Sequence, residues 1–194
     1  MLLDLRTMTK IRNTLLERTR PDRVPHVMGV EGQVVMLAEK YGADVERCHA
    51  AGLLHDLAKG FDHERQEQMI DACQAIPLSD EDRQHPHIWH GFIAAQEAAS
   101  VFGIDDREIL EAVAYHSTGK PGIGTIGQVL YVADFTEPSR NWEGVSEARR
   151  EIFELDLPRA VHRVAQLKLQ RLQAKGRTPH SLTLAMANDL EEKG

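Results

Sequence analysis

Apolar side chains recur every three to four residues along almost the whole of this sequence, and the alternation of a half-buried strand is hard to find. In one segment Val30, Val34, Leu37, Ala38 and Tyr41 fall on one face of a helix. This periodicity predicts an all-α protein. No repeat, low-complexity tract or linker divides the sequence, so we predict a single domain over residues 1–194, built from about nine to ten helices.

Capping residues set the predicted helix boundaries. The second helix is expected to begin at the N-cap Asp22 and to stop at Gly42, and the third to run from the cap Asp44 to Gly60. The other predicted spans are 3–18, 62–74, Pro86 to Gly103, Asp105 to His116, 125–135, a helix capped by Ser146, a helix from the cap Asp156 to Lys175, and a last helix after Pro179. The polar run 79–85 is expected to break the helical pattern.

The charge balance excludes several classes of protein. The sequence has 23 basic and 30 acidic residues, a formal net charge of −7. A protein that binds the backbone of a nucleic acid needs a basic face, so we expect no nucleic-acid partner. Apolar runs are too short to cross a bilayer, and Asp4, Arg6 and Lys10 interrupt the segment where a secretory signal would be apolar. We therefore expect a cytoplasmic protein with no membrane partner.

The sequence contains no pattern for covalent catalysis or for a thiolate metal site. Cys48 and Cys73 stand alone, without the paired spacing of a thiolate zinc site or a disulfide framework, so we expect small core side chains. Gly122, Gly124 and Gly127 match a dinucleotide-binding pattern, but a helix precedes them where that pattern needs a strand. No motif for a serine or cysteine nucleophile is present.

Histidine is over-represented, with ten residues in the chain, and one His-Asp pair stands out. His55 and Asp56 interrupt an apolar run, while His26 and Asp134 interrupt two other apolar faces. Taken singly, each is more often a hydrogen-bonded core residue, because burying it unpaired is costly. Their coincidence favours a metal site, and a mixed set of imidazoles and carboxylates suits iron, manganese or zinc.

These residues, in this order, resemble the HD superfamily of metal-dependent phosphohydrolases, which are all-helical. A finer resemblance is to the YqeK-type bacterial members, which hydrolyse diadenosine tetraphosphate symmetrically to two ADP. The motifs that carry it are His26 with Gly29-Val30, the run Ala51 to Lys59, His90-Gly91, Tyr115 to Gly119, Tyr131 to Asp134, and Glu137 to Arg140. The resemblance implies an HD core at about 23–140 and C-terminal helices at 146–192 that complete a nucleotide site. Its departures are Pro25, where an aromatic residue is expected, and the loosely matching segment 60–85.

The resemblance also implies roles for individual residues. The metal ligands would be His26, His55, Asp56 and Asp134, holding a divalent ion, with iron foremost and manganese, cobalt, zinc or magnesium as alternatives. Lys59 and His90 would be catalytic. The substrate would contact Lys59, His90, His116, Arg140, Arg177, Thr178, Pro179, His180, Ser181 and Leu182.

Several of these roles have alternatives. From spacing alone, Lys59 is equally well a solvated lysine near a helix end, and Arg140 a surface arginine. For His90 and His116 we favour phosphate binding over proton donation or ligation of a second metal. A basic segment without acids, formed by Arg159, Arg163, Lys168, Arg171, Lys175 and Arg177, would be a solvated helix face or would steer an anionic substrate inward.

The leading hypothesis is a bis(5'-nucleosyl)-tetraphosphatase that acts symmetrically on a dinucleoside polyphosphate and releases ADP. The resemblance is also compatible with a homodimer. A second hypothesis keeps the chemistry but changes the substrate to a nucleoside monophosphate, an alarmone or a cyclic dinucleotide. A third is a nucleotide-binding sensor whose metal is structural.

Overall fold

A computed structural model describes residues 4–191 of the chain, and every regular element in that range is helical, as predicted. The predicted helix ends at residues 3 and 192 lie outside it. Residues 4–191 contain eleven α-helices: α1 (Leu5–Arg18), α2 (Val24–Tyr41), α3 (Val45–Leu54), α4 (His63–Ile70), α5 (Asp80–Arg83), α6 (Trp89–Phe102), α7 (Arg107–Tyr115), α8 (Thr125–Thr136), α9 (Val145–Glu154), α10 (Leu157–Ala174) and α11 (Ser181–Glu191). Short 3-10 turns at Pro21–Arg23 and Pro86–Ile88 lead into α2 and α6.

The core lies where α2, α3, α7 and α8 pack against one another. Their inward faces carry fully buried aliphatic side chains, among them Val34, Leu54, Val113 and Val129. Helix α6 covers α7, and α10 packs on α8 and carries α11. Each element that bears a predicted metal-ligating residue therefore borders this core.

Helix α3 is shorter than its apolar pattern predicts. It ends at Leu54 rather than at Gly60, and residues 55–60 form tight turns in which the amides of Leu57 and Lys59 donate to carbonyls three residues earlier. Such turns keep side chains on nearly the same face as a helix does, so periodicity does not distinguish them. As a result His55 and Asp56 leave the end of α3 instead of lying within it.

Three predicted caps are also displaced. Asp22 lies in the 3-10 turn, and α2 begins after Arg23 without a side-chain cap. Asp106 rather than Asp105 caps α7, and Gly144 rather than Ser146 precedes α9.

The helix count exceeds the prediction by α5, which lies in the expected break. Ser79 and Asp82 form a capping box there, each side chain bonding the backbone amide of the other. This reciprocal pairing supports a helix too short to show periodicity.

Helices α6 and α7 cross in close contact at Gly91. A Cβ atom at this position would lie 2.7 Å from the carbonyl oxygen of Ala114 and 3.0 Å from that of Val113. Only glycine lets the two backbones approach this closely. The approach brings His90, next to Gly91, beside His116 at the end of α7, with 3.2 Å between their Nε2 atoms.

Both cysteines are buried and unpaired, as the sequence predicted. Burial raises the pKa of the Cys48 thiol to about 12 and that of Cys73 to about 11. Neither thiol is therefore an activated nucleophile. No helix among residues 4–191 combines the length and the hydropathy needed to traverse a lipid bilayer.

The cap of α7 gives a test of the fold. Asp106 accepts the amides of Glu108 and Ile109 and a bidentate pair from Arg47, whereas Asp105 is exposed. We expect Asp106→Ala to lower the free energy of unfolding by about 1–2 kcal/mol, and Asp105→Ala to change it by less than about 0.5 kcal/mol.

This difference should depend on pH. The hydrogen bond from Arg47, opposed by partial burial, holds the pKa of Asp106 below its usual value. A carboxylate with a lowered pKa contributes stability above its unfolded pKa of about 4, and loses it as pH falls through the folded pKa. Urea denaturation at pH 7 and below pH 3 should show the gap between the two variants closing. A gap that is equal at both pH values would contradict this assignment.

Candidate metal centre

Six ionisable side chains converge at the centre of the helices. They come from α2 (His26), the turn after α3 (His55 and Asp56), α6 (His90), the end of α7 (His116) and α8 (Asp134). All are buried except Asp134, which is partly exposed. They form two groups, each with three potential metal-ligating atoms within 4.8 Å of one another.

The first group contains His26, His55 and Asp134. The Nε2 atom of His26 lies 3.4 Å from Nε2 of His55 and 3.5 Å from Oδ1 of Asp134. The sequence predicted that these residues meet, and the structure brings them together.

The second group contains Asp56, His90 and His116. The Oδ1 atom of Asp56 lies 3.4 Å from Nε2 of His90 and 4.0 Å from Nε2 of His116. Its other oxygen, Oδ2, lies 3.4 Å from Nε2 of His26 and 3.5 Å from Nε2 of His55. Asp56 therefore faces both groups, one oxygen to each.

Backbone carbonyls fix the orientation of two imidazoles. Nδ1 of His55 lies 2.6 Å from the carbonyl oxygen of Gly52, and Nδ1 of His116 lies 2.8 Å from that of Val113. A carbonyl only accepts hydrogen bonds, so each Nδ1 carries the proton. The lone pair of each Nε2 is then directed at the centre, as metal ligation requires.

Burial keeps three of the imidazoles neutral. It lowers the pKa of His55, lowers that of His116 to about 4 and lowers that of His90 far below its usual value. His26 differs: burial opposes its protonation, but hydrogen bonds with Asp56 and Glu137 outweigh burial and raise its pKa.

The two aspartates are ionised in spite of burial. Burial alone would raise the pKa of Asp56, but His55, His26, His90 and Arg23 together lower it well below its usual value. Burial likewise opposes ionisation of Asp134, and Arg140 is the largest influence that lowers its pKa. Neutral imidazoles and ionised carboxylates are the forms that bind cations.

The donor set fits a divalent metal. Four imidazole nitrogens and two carboxylates, without a thiolate, suit first-row ions, and a cation would neutralise the buried negative charge.

Three cationic side chains surround this cluster. Arg23 Nη2 donates to Asp56 Oδ2, and Arg140 donates to the side chain of Asp134 at 2.6 Å and to its carbonyl at 2.9 Å. Arg23 was not predicted from the sequence, although its position three residues before His26 could have indicated it. Arg140 was predicted to bind phosphate, and the structure places its guanidinium on Asp134.

Lys59 provides the third cation. Its Nζ lies 3.3 Å from Nδ1 and 3.4 Å from Nε2 of His90. Burial lowers the pKa of Lys59, with the charge of Asp56 opposing this effect. The two residues predicted to be catalytic are therefore in direct contact.

A cavity of about 210 Å³ opens beside the second group. Ser117 and Thr118, which follow His116, line it together with basic residues of α10 and the loop after it. Its full lining is His87, Ile88, Ser117, Thr118, Lys168, Arg171, Leu172, Lys175, Arg177, Thr178, His180 and Thr183.

Lys168 connects this cavity to the cluster. Its Nζ donates to the carbonyls of His116 at 3.4 Å and Ser117 at 3.3 Å, and it lies 3.7 Å from the centre of the Tyr131 ring. Burial lowers the pKa of Lys168 to about 8, with Asp134 opposing.

The basic segment divides between two faces of α10. Lys168, Arg171, Lys175 and Arg177 line the cavity, whereas Arg163 pairs with Glu151 and Arg159 pairs with Asp156 outside it.

The predicted nucleotide loop is also divided. Arg177, Thr178 and His180 line the cavity, but Pro179, Ser181 and Leu182 are not in its lining. Both Ser181 donors, the amide and the hydroxyl, bond Glu81 of α5, and the Leu182 amide donates to Nδ1 of the buried His180. Nε2 of His180 lies 3.1 Å from Oδ1 of the buried Asp82. These contacts fasten α11 to α5.

Comparison with known proteins adds independent information. The family model of the HD domain matches residues 23–140. "Bis(5'-nucleosyl)-tetraphosphatase, symmetrical" of Bacillus subtilis is 37% identical over 139 residues, which cover 72% of this chain and 73% of the relative. The protein of the same name from Staphylococcus aureus is 26% identical over 181 residues, or 92% of each chain.

A solved structure agrees with the fold. The crystal structure of a Clostridium acetobutylicum protein, described as a "predicted HD superfamily hydrolase involved in NAD metabolism", matches with a TM-score of 0.86 at 31% identity. The match covers 96% of this chain and 97% of the other. The four histidines and two aspartates of the cluster lie within residues 23–140, and the chain belongs to the HD-domain family, among the relatives of the symmetrical bis(5'-nucleosyl)-tetraphosphatases.

Proposed function

We propose that this protein is a metal-dependent hydrolase that cleaves diadenosine tetraphosphate symmetrically into two ADP. The observation that carries the proposal is the cluster of four histidines and two aspartates beside a cavity lined by basic side chains. The names of the B. subtilis and S. aureus relatives supply the substrate.

The centre would hold two divalent cations, with iron as the proposed metal. His26, His55 and Asp134 would bind one, His90 and His116 the other, and Asp56 would contribute to both. This arrangement supports the role of second-metal ligands for His90 and His116 over the phosphate contact that the sequence favoured. Bound divalent metals lower the pKa of a coordinated water toward about 7 and polarise a phosphoryl oxygen.

The side chains around the centre would bind and orient the polyphosphate. Lys59 presents an ammonium beside His90, while Arg23 and Arg140 present guanidinium groups beside Asp56 and Asp134. Their charges would face the phosphates flanking the scissile anhydride and stabilise the charge that accumulates there. His90, kept neutral by burial, is suited to ligation and not to donating a proton.

The cavity would determine which anhydride is cleaved. Its volume of about 210 Å³ is below the roughly 300–1,000 Å³ of sites that enclose a drug-sized ligand, so it suits one nucleoside moiety and not the whole dinucleotide. With one nucleoside held against α10 and α11, the fixed separation from the centre selects one phosphorus. The C-terminal helices would in this way complete the nucleotide site.

A cytoplasmic location and a homodimer are also parts of this proposal. Light scattering of the purified chain measures its oligomeric state directly.

Product analysis tests the reaction. We expect metal-loaded protein to convert diadenosine tetraphosphate to ADP alone, because the nucleoside subsite holds the two central phosphates at the centre. Chromatography of the products, with hydrolysis in ¹⁸O-labelled water, should place one labelled oxygen on one of the two ADP molecules. Release of ATP plus AMP would contradict symmetrical cleavage.

A substrate panel separates the alternatives. It includes a nucleoside monophosphate, a guanosine alarmone, a cyclic dinucleotide and NAD, the last because of the description of the C. acetobutylicum structure. Faster turnover of one of these compounds than of diadenosine tetraphosphate would identify that compound as the substrate. Tight ADP binding without any turnover would favour a sensor.

Metal content tests the two groups separately. We expect about two divalent ions per wild-type chain, about one in Asp134→Asn and in His116→Ala, and fewer still in Asp56→Ala, because one oxygen of Asp56 faces each group. His162→Ala, a histidine outside the cluster, is the matched control. Mass spectrometry of the metals and hydrolysis rates should fall together. Variants that lose metal but keep the wild-type rate would contradict metal catalysis.

The basic cavity predicts a defect in substrate binding. We expect the double variant Lys175→Ala/Arg177→Ala to raise KM about 10–100-fold with kcat within about threefold, because the two exposed cations together would contribute about 1.4–2.7 kcal/mol to substrate binding. The double variant Arg159→Ala/Arg163→Ala is the control, because it removes the same charge outside the cavity. Equal effects of the two pairs would show that general charge steers the substrate and that the cavity does not bind it.

A further inference from the structure

The ring nitrogens of the clustered histidines have outer partners of three kinds. Carbonyl oxygens lie behind His55 and His116, whereas the Nδ1 atom of His26 lies 3.0 Å from Oε1 of Glu137, a carboxylate. The ammonium of Lys59 lies beside His90, 3.3 Å from its Nδ1 and 3.4 Å from its Nε2.

Arg140 pairs with Asp134 and lies 3.5 Å from Oε1 of Glu137, so the first group has two carboxylates to one guanidinium. Arg23 pairs with Asp56, which faces both groups, and Lys59 adds a positive charge to the second group.

Glu137 is firmly held in this position. It is fully buried at the end of α8 and accepts hydrogen bonds from the amide of Ser139 at 2.6 Å and from its hydroxyl at 2.7 Å. Arg149 of α9 donates to the carbonyl oxygens of Thr136, Glu137 and Arg140, which fixes the backbone on both sides.

Helix α2 leaves room for the carboxylate. Gly29 lies three residues after His26, and a Cβ atom there would overlap Oε2 of Glu137. The glycine therefore lets Glu137 reach the imidazole.

The partner of Nδ1 governs how well Nε2 binds a cation. A carboxylate that accepts the Nδ1 proton fixes the tautomer and makes Nε2 more basic, and loss of such a partner typically costs about 10–100-fold in metal affinity. A carbonyl fixes the tautomer but brings no charge. The ammonium beside His90 repels a metal cation bound by the second group, and this repulsion is large in a buried site.

We propose that Glu137 is a positioning residue for His26. Together with Lys59 it makes the two groups unequal in metal affinity, so that the first group binds a divalent cation more tightly than the second. The inference rests on the proposed metal centre but not on the identity of the substrate.

The test is a titration of the metal-free protein with Mn²⁺, followed by the electron paramagnetic resonance signal of the free ion. We expect two separate binding steps in the wild-type chain. Glu137→Gln keeps a hydrogen-bond acceptor but removes the charge, so the tighter step should weaken about 10–100-fold while the weaker step stays within about threefold. Glu97→Gln is the matched control, because Glu97 is a buried glutamate paired with Arg18. It should leave both steps unchanged.

A second variant keeps the inference testable if Glu137→Gln does not fold. Gly29→Ala leaves Glu137 intact but crowds its carboxylate, and should also weaken the tighter step alone. Equal steps in the wild-type chain, or equal weakening of both steps in both variants, would overturn the inference. A wild-type chain that shows two unequal steps yet does not hydrolyse diadenosine tetraphosphate would contradict the proposed function and leave this inference standing.

Discussion

The carboxylate of Asp56 is the interaction on which the arrangement of this protein depends. It is almost completely buried, and a buried carboxylate is strongly unfavourable unless cations or hydrogen-bond donors surround it. Its two oxygens face imidazoles from α2, α3, α6 and α7, and Arg23 contacts it from the turn before α2. Three of the helices that build the core, α2, α3 and α7, therefore place imidazoles around this charge, and α6 adds the fourth. An apolar residue at position 56 could pack there, but it would remove the reason for four imidazoles to converge.

The charged residues around the cluster are acidic on one side and basic on the other, and the helix packing explains this difference. Helix α8 ends beside α2, so the turn after it places Glu137 behind the first group. Helix α10 also packs on α8, and from it Lys168 reaches the carbonyl of His116 next to the second group. The acidic side of the site thus comes from the end of α8, and the basic side from the helix that packs on α8. Fastening of α11 to α5 through Glu81 and Asp82 holds the cavity wall in place.

The sequence predicted those features that depend on periodicity or on its interruption. Helical spacing was sufficient for the all-α class, and His26, His55, Asp56 and Asp134 were recognisable because each breaks an apolar face. Arg23 was missed, and Glu137 was recognised only as part of a motif, without a role of its own, because both lie in turns, where a polar side chain is unremarkable. The split of the basic segment was equally hidden. Lys168 and Arg163 lie on the same helix, and only the packing of α10 on α8 decides which one faces the cavity.

An acidic protein can bind a polyanion when its positive charge is concentrated at one opening. The net charge of −7 is spread over the whole sequence, whereas the described residues that line the cavity beside His116 include two lysines, two arginines and no acidic residue. In the proposed function, a phosphate chain that enters there would meet the second group first, on the side of Lys168, with Glu137 behind the first group. The asymmetry that we propose to rank the two groups for metal binding would therefore also give the substrate a direction of approach. Charge would attract the polyphosphate to this opening, and the distance from the cavity to Asp56 would determine which phosphorus the water attacks.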